Sequence, residues 1–161
     1  MRIDLSRQEL FICEYIGTCR RKNAMQFNKD RQVSKRDPYD IDIEGFMGEF
    51  IVAKHLGVMP DFSLNERKNP IDLVSRKGKT VDVKTTRNPD GKLYVTEYHR
   101  KNPCDIYVLV LVDDTGGDLI GWIDKETLFE KAIYTDANNH PSYVLEQQYL
   151  NKYEQIGKRT L

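Results

Sequence analysis

Apolar residues recur along this chain with two periods, and each period marks elements. Ser6 followed by Glu9 has the form of a capping box, and Ile12, Ile16 and Cys19 then fall on one helical stripe. The pattern predicts a helix from about Arg7 to about Arg21. A second helical pattern starts near Asp42 and stops at Gly57, a residue suited to a left-handed cap. Ile43, Phe46, Met47, Phe50, Ile51 and Leu56 form its apolar side, and Glu49 lies at the border of that side. Gly45 and Gly48 weaken this helix, so their presence predicts a close approach by something else.

The period then switches to two. Residues 71–74 and 80–86 are β-branched runs flanking a basic turn that contains Gly78, which is a hairpin signal. Asn88-Pro89-Asp90-Gly91 is a turn, and a strand is predicted from Lys92 to His99. Ile106–Val112 is a continuous apolar run, the pattern of a central strand covered on both faces. After a turn at 114–118 comes a paired strand, Leu119–Ile123, and Asp124 then caps a short helix over 125–132. Residues 22–41 are polar and basic, and Asp37-Pro38 reads there as a helix breaker. Residues 134–142 read as a loop, and 143–156 as a short strand followed by a helical turn.

This order predicts an α/β fold: one mixed sheet of about four to five strands flanked by helices. It places everything in a single domain, 1–161. Residues 1–41 form its N-terminal helix and basic loop, 42–132 its core and 133–161 a C-terminal extension.

Composition changes little in that picture. The 161 residues are 39% hydrophobic and 31% charged, ordinary for a soluble globular domain. No apolar run approaches the roughly 20 residues of a membrane span, and the N-terminus lacks the apolar core of a signal peptide. Cys13, Cys19 and Cys104 are few, odd in number and not in metal-ligand spacing. They read as reduced thiols, and the expected location is the cytoplasm. Without Cys/His spacing or a Gly-rich phosphate loop, a zinc site and an NTPase are disfavoured.

Charge is informative only when resolved along the chain. The net is zero, but residues 1–101 hold 20 Lys and Arg against 15 Asp and Glu, and residues 102–161 hold 5 against 10. Within 18–36 there are seven basic residues and one acid, Asp30. Such a run is either a solvated face or a contact for a polyanion.

Chemistry concentrates between Asn69 and Thr86. Asp82 and Lys84 share one face of a predicted strand, with Val81 and Val83 on the other. Asp72 sits in the partner run. Two carboxylates and a lysine are the parts that phosphodiester hydrolysis uses. Mg²⁺, with Mn²⁺ as a substitute, would be held by Asp72, Asp82 and the backbone carbonyl of Val83. Lys84 would orient the attacking water and stabilise the phosphate, and Glu49 would hold a metal-bound water or a second ion. This arrangement carries a condition of parity. A two-residue turn at Lys77-Gly78 would turn Asp72 away from Asp82. An odd-length loop, a bulge, or an Asp72 outside the ladder restores the face.

These residues resemble the PD-(D/E)XK nuclease family. Pro70-Ile71-Asp72 followed by Asp82-Val83-Lys84 looks like its signature, with Ile71 as an insertion. Gly48-Glu49 looks like the glutamate that many members carry on the preceding helix. The resemblance implies a restriction-endonuclease-like core, cleavage of DNA leaving a 5′ phosphate, dependence on Mg²⁺, and a homodimer. It casts Glu49, Asp72, Asp82 and Lys84 as the catalytic set.

With DNA as the expected partner, the basic residues acquire a second reading as phosphate contacts. They are Arg20, Arg21, Lys22, Arg31, Lys35 and Arg36 in the basic segment, and Lys77, Lys79 and Arg87 around the hairpin. Arg100 and Lys101 follow the next strand. A nucleic-acid backbone becomes an alternative to the sheet as the neighbour of Gly45 and Gly48. His99 reads as a surface histidine, although it follows a strand that could meet the site. Trp122 and the tyrosines read as packing, while Tyr94 and Tyr98, on a basic-flanked strand, leave a base-stacking role open. The rival class is a nuclease-fold module that binds DNA or assembles without cutting.

Overall fold

Both strands of the capping box form. The Ser6 N–H donates to Glu9 Oε2 at 2.7 Å and the Glu9 N–H to Ser6 Oγ at 3.3 Å, starting α1 (Arg7–Gln26). This computed structural model describes residues 1–26, 36–64, 71–136 and 140–153. Arg31, Lys35, Asn69 and Pro70 lie outside the described residues.

The second helix, α2 (Pro38–Leu56), begins four residues earlier than its apolar pattern suggests. Asp37-Pro38 starts this helix instead of breaking one. The Asp37 side chain accepts from the Tyr39 N–H at 2.9 Å, and Pro38 occupies the first helical position, where no N–H is needed. Gly57 ends the helix at φ 64°, its N–H donating to the Ala53 carbonyl.

The main sheet has five strands: β1 (Arg2–Asp4), β2 (Leu73–Val74), β3 (Thr80–Thr86), β5 (Ile106–Asp113) and β6 (Gly116–Asp124). Their order is β1-β6-β5-β3-β2, with β3 and β5 parallel and the other pairs antiparallel. The apolar run of β5 is central, as its continuous pattern predicts. On one face Val81, Val83, Val108 and Val110 pack with Phe46, Ile51 and Cys13 of the two helices. On the other, Tyr107 and Leu109 pack into a second core.

That second core has a lid the sequence pattern did not announce. A three-stranded antiparallel sheet, β4-β8-β7, covers it, with β4 at Leu93–Thr96, β7 at Ile133–Thr135 and β8 at Ser142–Leu145. Strand β7 falls where a loop was expected. It is too short and too exposed to show a period. The helix α3 (Lys125–Lys131), capped by Asp124 through the Thr127 N–H at 2.9 Å, closes the same side. The molecule is thus three layers: helices, main sheet, small sheet. This bears out the mixed α/β class, with one sheet more than expected.

Two glycines fix how the helices seat. A Cβ on Gly17 would lie 2.5 Å from the Ile43 Cα, so α1 and α2 cross in near contact there. A Cβ on Gly48 would overlap Thr85 Cγ2, so α2 rests directly on β3. Gly45 has open space instead. The close approach expected of the glycine pair is therefore made at Gly48 alone, and by the sheet.

The three cysteines are free thiols. Among the described residues no helix is long and apolar enough to cross a membrane.

Arg2 ties β1 to the β5–β6 hairpin, donating to both Asp113 oxygens at 2.6 and 3.0 Å and to Thr115 Oγ1 at 2.7 Å. These bonds hold the Asp113 carboxyl well below the ordinary carboxylate range. A depressed carboxylate contributes stability above its unfolded pKa of about 3.9, and that contribution is lost as pH falls through the folded value. Asp113→Asn is therefore expected to lower stability near neutral pH by about 0.2–1 kcal/mol, the range for a solvent-screened pair. Urea denaturation at neutral pH and below about pH 2 checks this, with the two proteins converging in acid.

Candidate active site

The hairpin predicted around Gly78 forms, with Leu73 opposite Val81 and Val74 opposite Thr80. Its loop is Ser75–Lys79. It is closed by Ser75 N–H to Lys79 O at 2.8 Å and Gly78 N–H to Ser75 O at 2.9 Å, with Gly78 at φ 80°. Five residues is an odd count, so the parity condition is met. Counting on in that register would set Asp72 level with Asp82 rather than with Val83, but the Asp72 N–H donates to the Val81 carbonyl at 3.1 Å, so the chain leaves the regular ladder at Asp72.

Asp72 also stands just outside the two-residue ladder. Its Oδ2 accepts from the Val83 N–H at 2.7 Å, taking the place a partner strand's carbonyl would fill. In an extended strand a residue's N–H and C=O point the same way. The Val83 carbonyl therefore faces the same open edge of β3 as the Asp72 carboxylate. The backbone oxygen and the first carboxylate share one edge because β2 is only two residues long.

Asp82 and Lys84 alternate to the face away from the helices. Their register partners on β5 are Tyr107 and Leu109, both in the second core. Asp82 is 2% exposed and Lys84 is partly buried, with the Lys84 Nζ bonded to Asp82 Oδ1. A buried carboxylate needs such a partner, since desolvation alone would disfavour its charge. The effect reaches its neighbours. Burial first, and then the Asp82 charge, raise the Cys104 thiol to about 12. The Tyr107 hydroxyl is likewise raised, by burial first and then by Cys104 and Asp82.

His99 joins this row, which its sequence context did not announce. Strand β4 runs into a 3₁₀ turn, Glu97–Lys101, and the Tyr107 hydroxyl beside Asp82 reaches the His99 carbonyl at 3.5 Å. The ring is fixed by Thr96 Oγ1 at 2.5 Å from Nδ1. Burial pushes the imidazole below its ordinary pKa and Lys84 pushes it the same way, while Asp72 pulls against both. His99 is thus neutral near neutral pH and within electrostatic reach of two site residues. The only local signal was its place directly after a strand.

Glu49 stands elsewhere than the resemblance suggests. It is 6% exposed on α2, one residue past the Gly48 contact with β3. Both its oxygens accept from Arg20 Nη1, at 3.2 and 3.1 Å. Asp82 projects from the opposite face of β3. Among the described residues no group of three His, Cys, Asp or Glu side chains converges to hold one ion. Glu49, Asp72 and Asp82 therefore do not form a single ligand set, because the sheet separates the helix carboxylate from Asp82.

Several expected phosphate contacts have internal roles. Arg20 also donates to the Asp61 carbonyl at 2.5 Å and stacks 4.7 Å from the Phe46 ring. Arg21 pairs with Asp42 at 2.8 Å, and both arginine side chains are largely buried between the helices. Arg36 and Arg87 each reach Glu44 Oε1 at 2.5 Å, and Arg87 also holds Asp114 at 2.8 Å. Lys79 lies 3.7 Å from Asp105. Arg100 donates to the Tyr143 hydroxyl at 2.7 Å. Lys22, Lys77 and Lys101 are exposed.

Oxygen donors are what Mg²⁺ takes, commonly one or two carboxylates, several waters and a substrate phosphate. Asp72, Asp82 and the Val83 carbonyl are oxygen donors of that kind. The model of a family of unknown function, DUF5843, matches residues 2–117, a span that contains every site residue named above. No curated protein matches the chain.

Proposed function

The chain belongs to the DUF5843 family, whose function is unknown, and we propose that it is a metal-dependent nuclease hydrolysing DNA phosphodiester bonds. One observation carries this reading. Asp72 and the Val83 carbonyl share the open edge of β3, and the next residues along it, Asp82 and Lys84, pair on the adjoining face, which supports metal-assisted hydrolysis there. A surface hairpin without chemistry has no reason to bury Asp82 beside a lysine, because burying an ion pair gives little or no net stability.

Asp72 and Asp82 would hold Mg²⁺, which when bound would supply charge neutralisation and a more acidic water. The chain's own residues do the rest. Lys84 presents its ammonium beside Asp82, where it steadies the attacking water and the charge gathering on the phosphate. The water oxygen bonds to phosphorus and gives up a proton to solvent, the bond to the leaving sugar oxygen breaks, and that oxygen takes up a proton from solvent. Neutral His99, its ring held by Thr96, offers a hydrogen bond to a phosphate oxygen. The small sheet covers the row from one side and lowers the local dielectric, which strengthens each of these interactions.

The test is a cleavage panel of duplex, single-stranded, flapped and four-way-junction DNA, with Mg²⁺ or Mn²⁺ and with EDTA. The expected result is metal-dependent, EDTA-blocked cleavage of at least one substrate, lost in Asp82→Asn. DNA that stays intact throughout, with Mg²⁺ or Mn²⁺ present, would sink this reading. Binding without cleavage would then support the DNA-binding module.

A further inference from the structure

Tyr98 is 80% exposed, the most exposed large hydrophobic side chain among the described residues. Exposed tyrosines on mobile loops are unremarkable, but the backbone under this one is fixed from both sides. Glu97 N–H donates to the Pro141 carbonyl at 2.9 Å, and Asn102 N–H to the His99 carbonyl at 3.0 Å. Arg100 anchors the far end of the turn, bonded to Tyr143 and lying 5.6 Å from the Phe129 ring centre. The Tyr98 ring meets the His99 ring edge-on, with centroids 5.7 Å apart. An aromatic face is thus held out to solvent, one residue from an imidazole that feels both Lys84 and Asp72.

The charges around it suit a nucleotide. Arg100 and Lys101 are both exposed on the same turn, against one acid, Glu97. A flat, exposed ring beside cations attracts a base and its phosphate together. Inside a duplex both faces of a base are already stacked. A protruding tyrosine next to the site therefore has a partner only where a base is unpaired.

Resting on the nuclease reading for its site, we infer that Tyr98 is a stacking platform for an unpaired base, so that the site's substrate is single-stranded DNA or a displaced end. The fold of the turn sets the ring before substrate arrives, which keeps the ordering cost of stacking low.

The test separates binding from cleavage. Anisotropy of a fluorescein-labelled oligothymidylate, in Ca²⁺ to suppress turnover, is expected to show tighter binding than to a labelled duplex. Tyr98→Ala is expected to weaken single-strand binding by roughly 5- to 150-fold, and Tyr98→Trp to retain it. Tyr15→Ala, an exposed tyrosine on the helix layer, is expected to change neither. In Mg²⁺ the same order is expected for cleavage, with single strand and flap cut faster than duplex. Duplex bound as tightly as single strand, or a Tyr98→Ala protein that binds single strand normally, overturns the inference whether or not DNA is cut. Tyr98-dependent binding without cleavage of any substrate keeps the platform and removes the nuclease reading instead.

Discussion

On the proposed nuclease reading, Asp82→Asn is expected to lower Mg²⁺-dependent cleavage by at least about 10²–10³-fold and to leave the fold's stability nearly unchanged. Lys84→Ala is expected to have a comparable effect on cleavage and to cost stability as well. The asymmetry follows from where the two groups sit. Asp82 is buried, whereas Lys84 is about a quarter exposed and reaches water along its own stem. Removing the carboxylate's charge leaves an ammonium that solvent receives. Removing the ammonium strips a buried carboxylate of its cation, at a cost of about 1–3 kcal/mol. For a chain of this size that lowers the thermal midpoint by about 2–4 °C per kcal/mol. Glu49→Gln is expected to lose less activity than Asp82→Asn, because Arg20 holds its carboxylate on the other side of the sheet. Cleavage kinetics and thermal melts on the three variants decide the matter. Equal cleavage losses for Glu49 and Asp82 would place the helix carboxylate in the reacting set after all.

The second large effect is on the scaffold, and it takes opposite signs at three glycines. Gly17→Ala drives a methyl into the Ile43 backbone, and Gly48→Ala drives one into the β-branched Thr85, neither of which swings aside cheaply. Each is expected to destabilise by about 1–3 kcal/mol. Gly48→Ala also lifts α2 from β3 at the level of Lys84, so cleavage falls with it. Gly45→Ala meets open space and removes a flexible residue from a helix interior, so it stabilises by about 0.5–1 kcal/mol. Urea denaturation of the three single variants reads the signs directly. A stabilised Gly48→Ala protein would mean that α2 does not rest on the sheet as described.

Much of the candidate site's local geometry is legible in the sequence. The shared face of Asp82 and Lys84 follows from the period of a strand, and the buried position of β5 from its unbroken apolar run. The odd-length turn was a stated requirement, and Ser75–Lys79 satisfies it with five residues. Helix starts were legible where a side chain bonds within one turn, as at Ser6 and Glu9. The same local logic misled at Asp37-Pro38, since a proline that breaks a helix interior also begins one.

What the sequence determined by itself is what neighbours in the chain determine: caps, periods, turn parity and the types of side chain on each strand face. What only the tertiary structure decided is which groups meet across the chain. Arg20 and Glu49 are 29 residues apart, and Arg87 and Glu44 are 43 apart. A one-dimensional count of basic residues cannot tell an internal ion pair from a free phosphate contact. The second sheet is of the same kind, because β4 and β8 bury an apolar face only against each other and against Tyr107 and Leu109. That layer carries His99 and Tyr98 to the edge of β3. A histidine becomes part of a site through burial and neighbouring charge, both set by chain segments it does not adjoin.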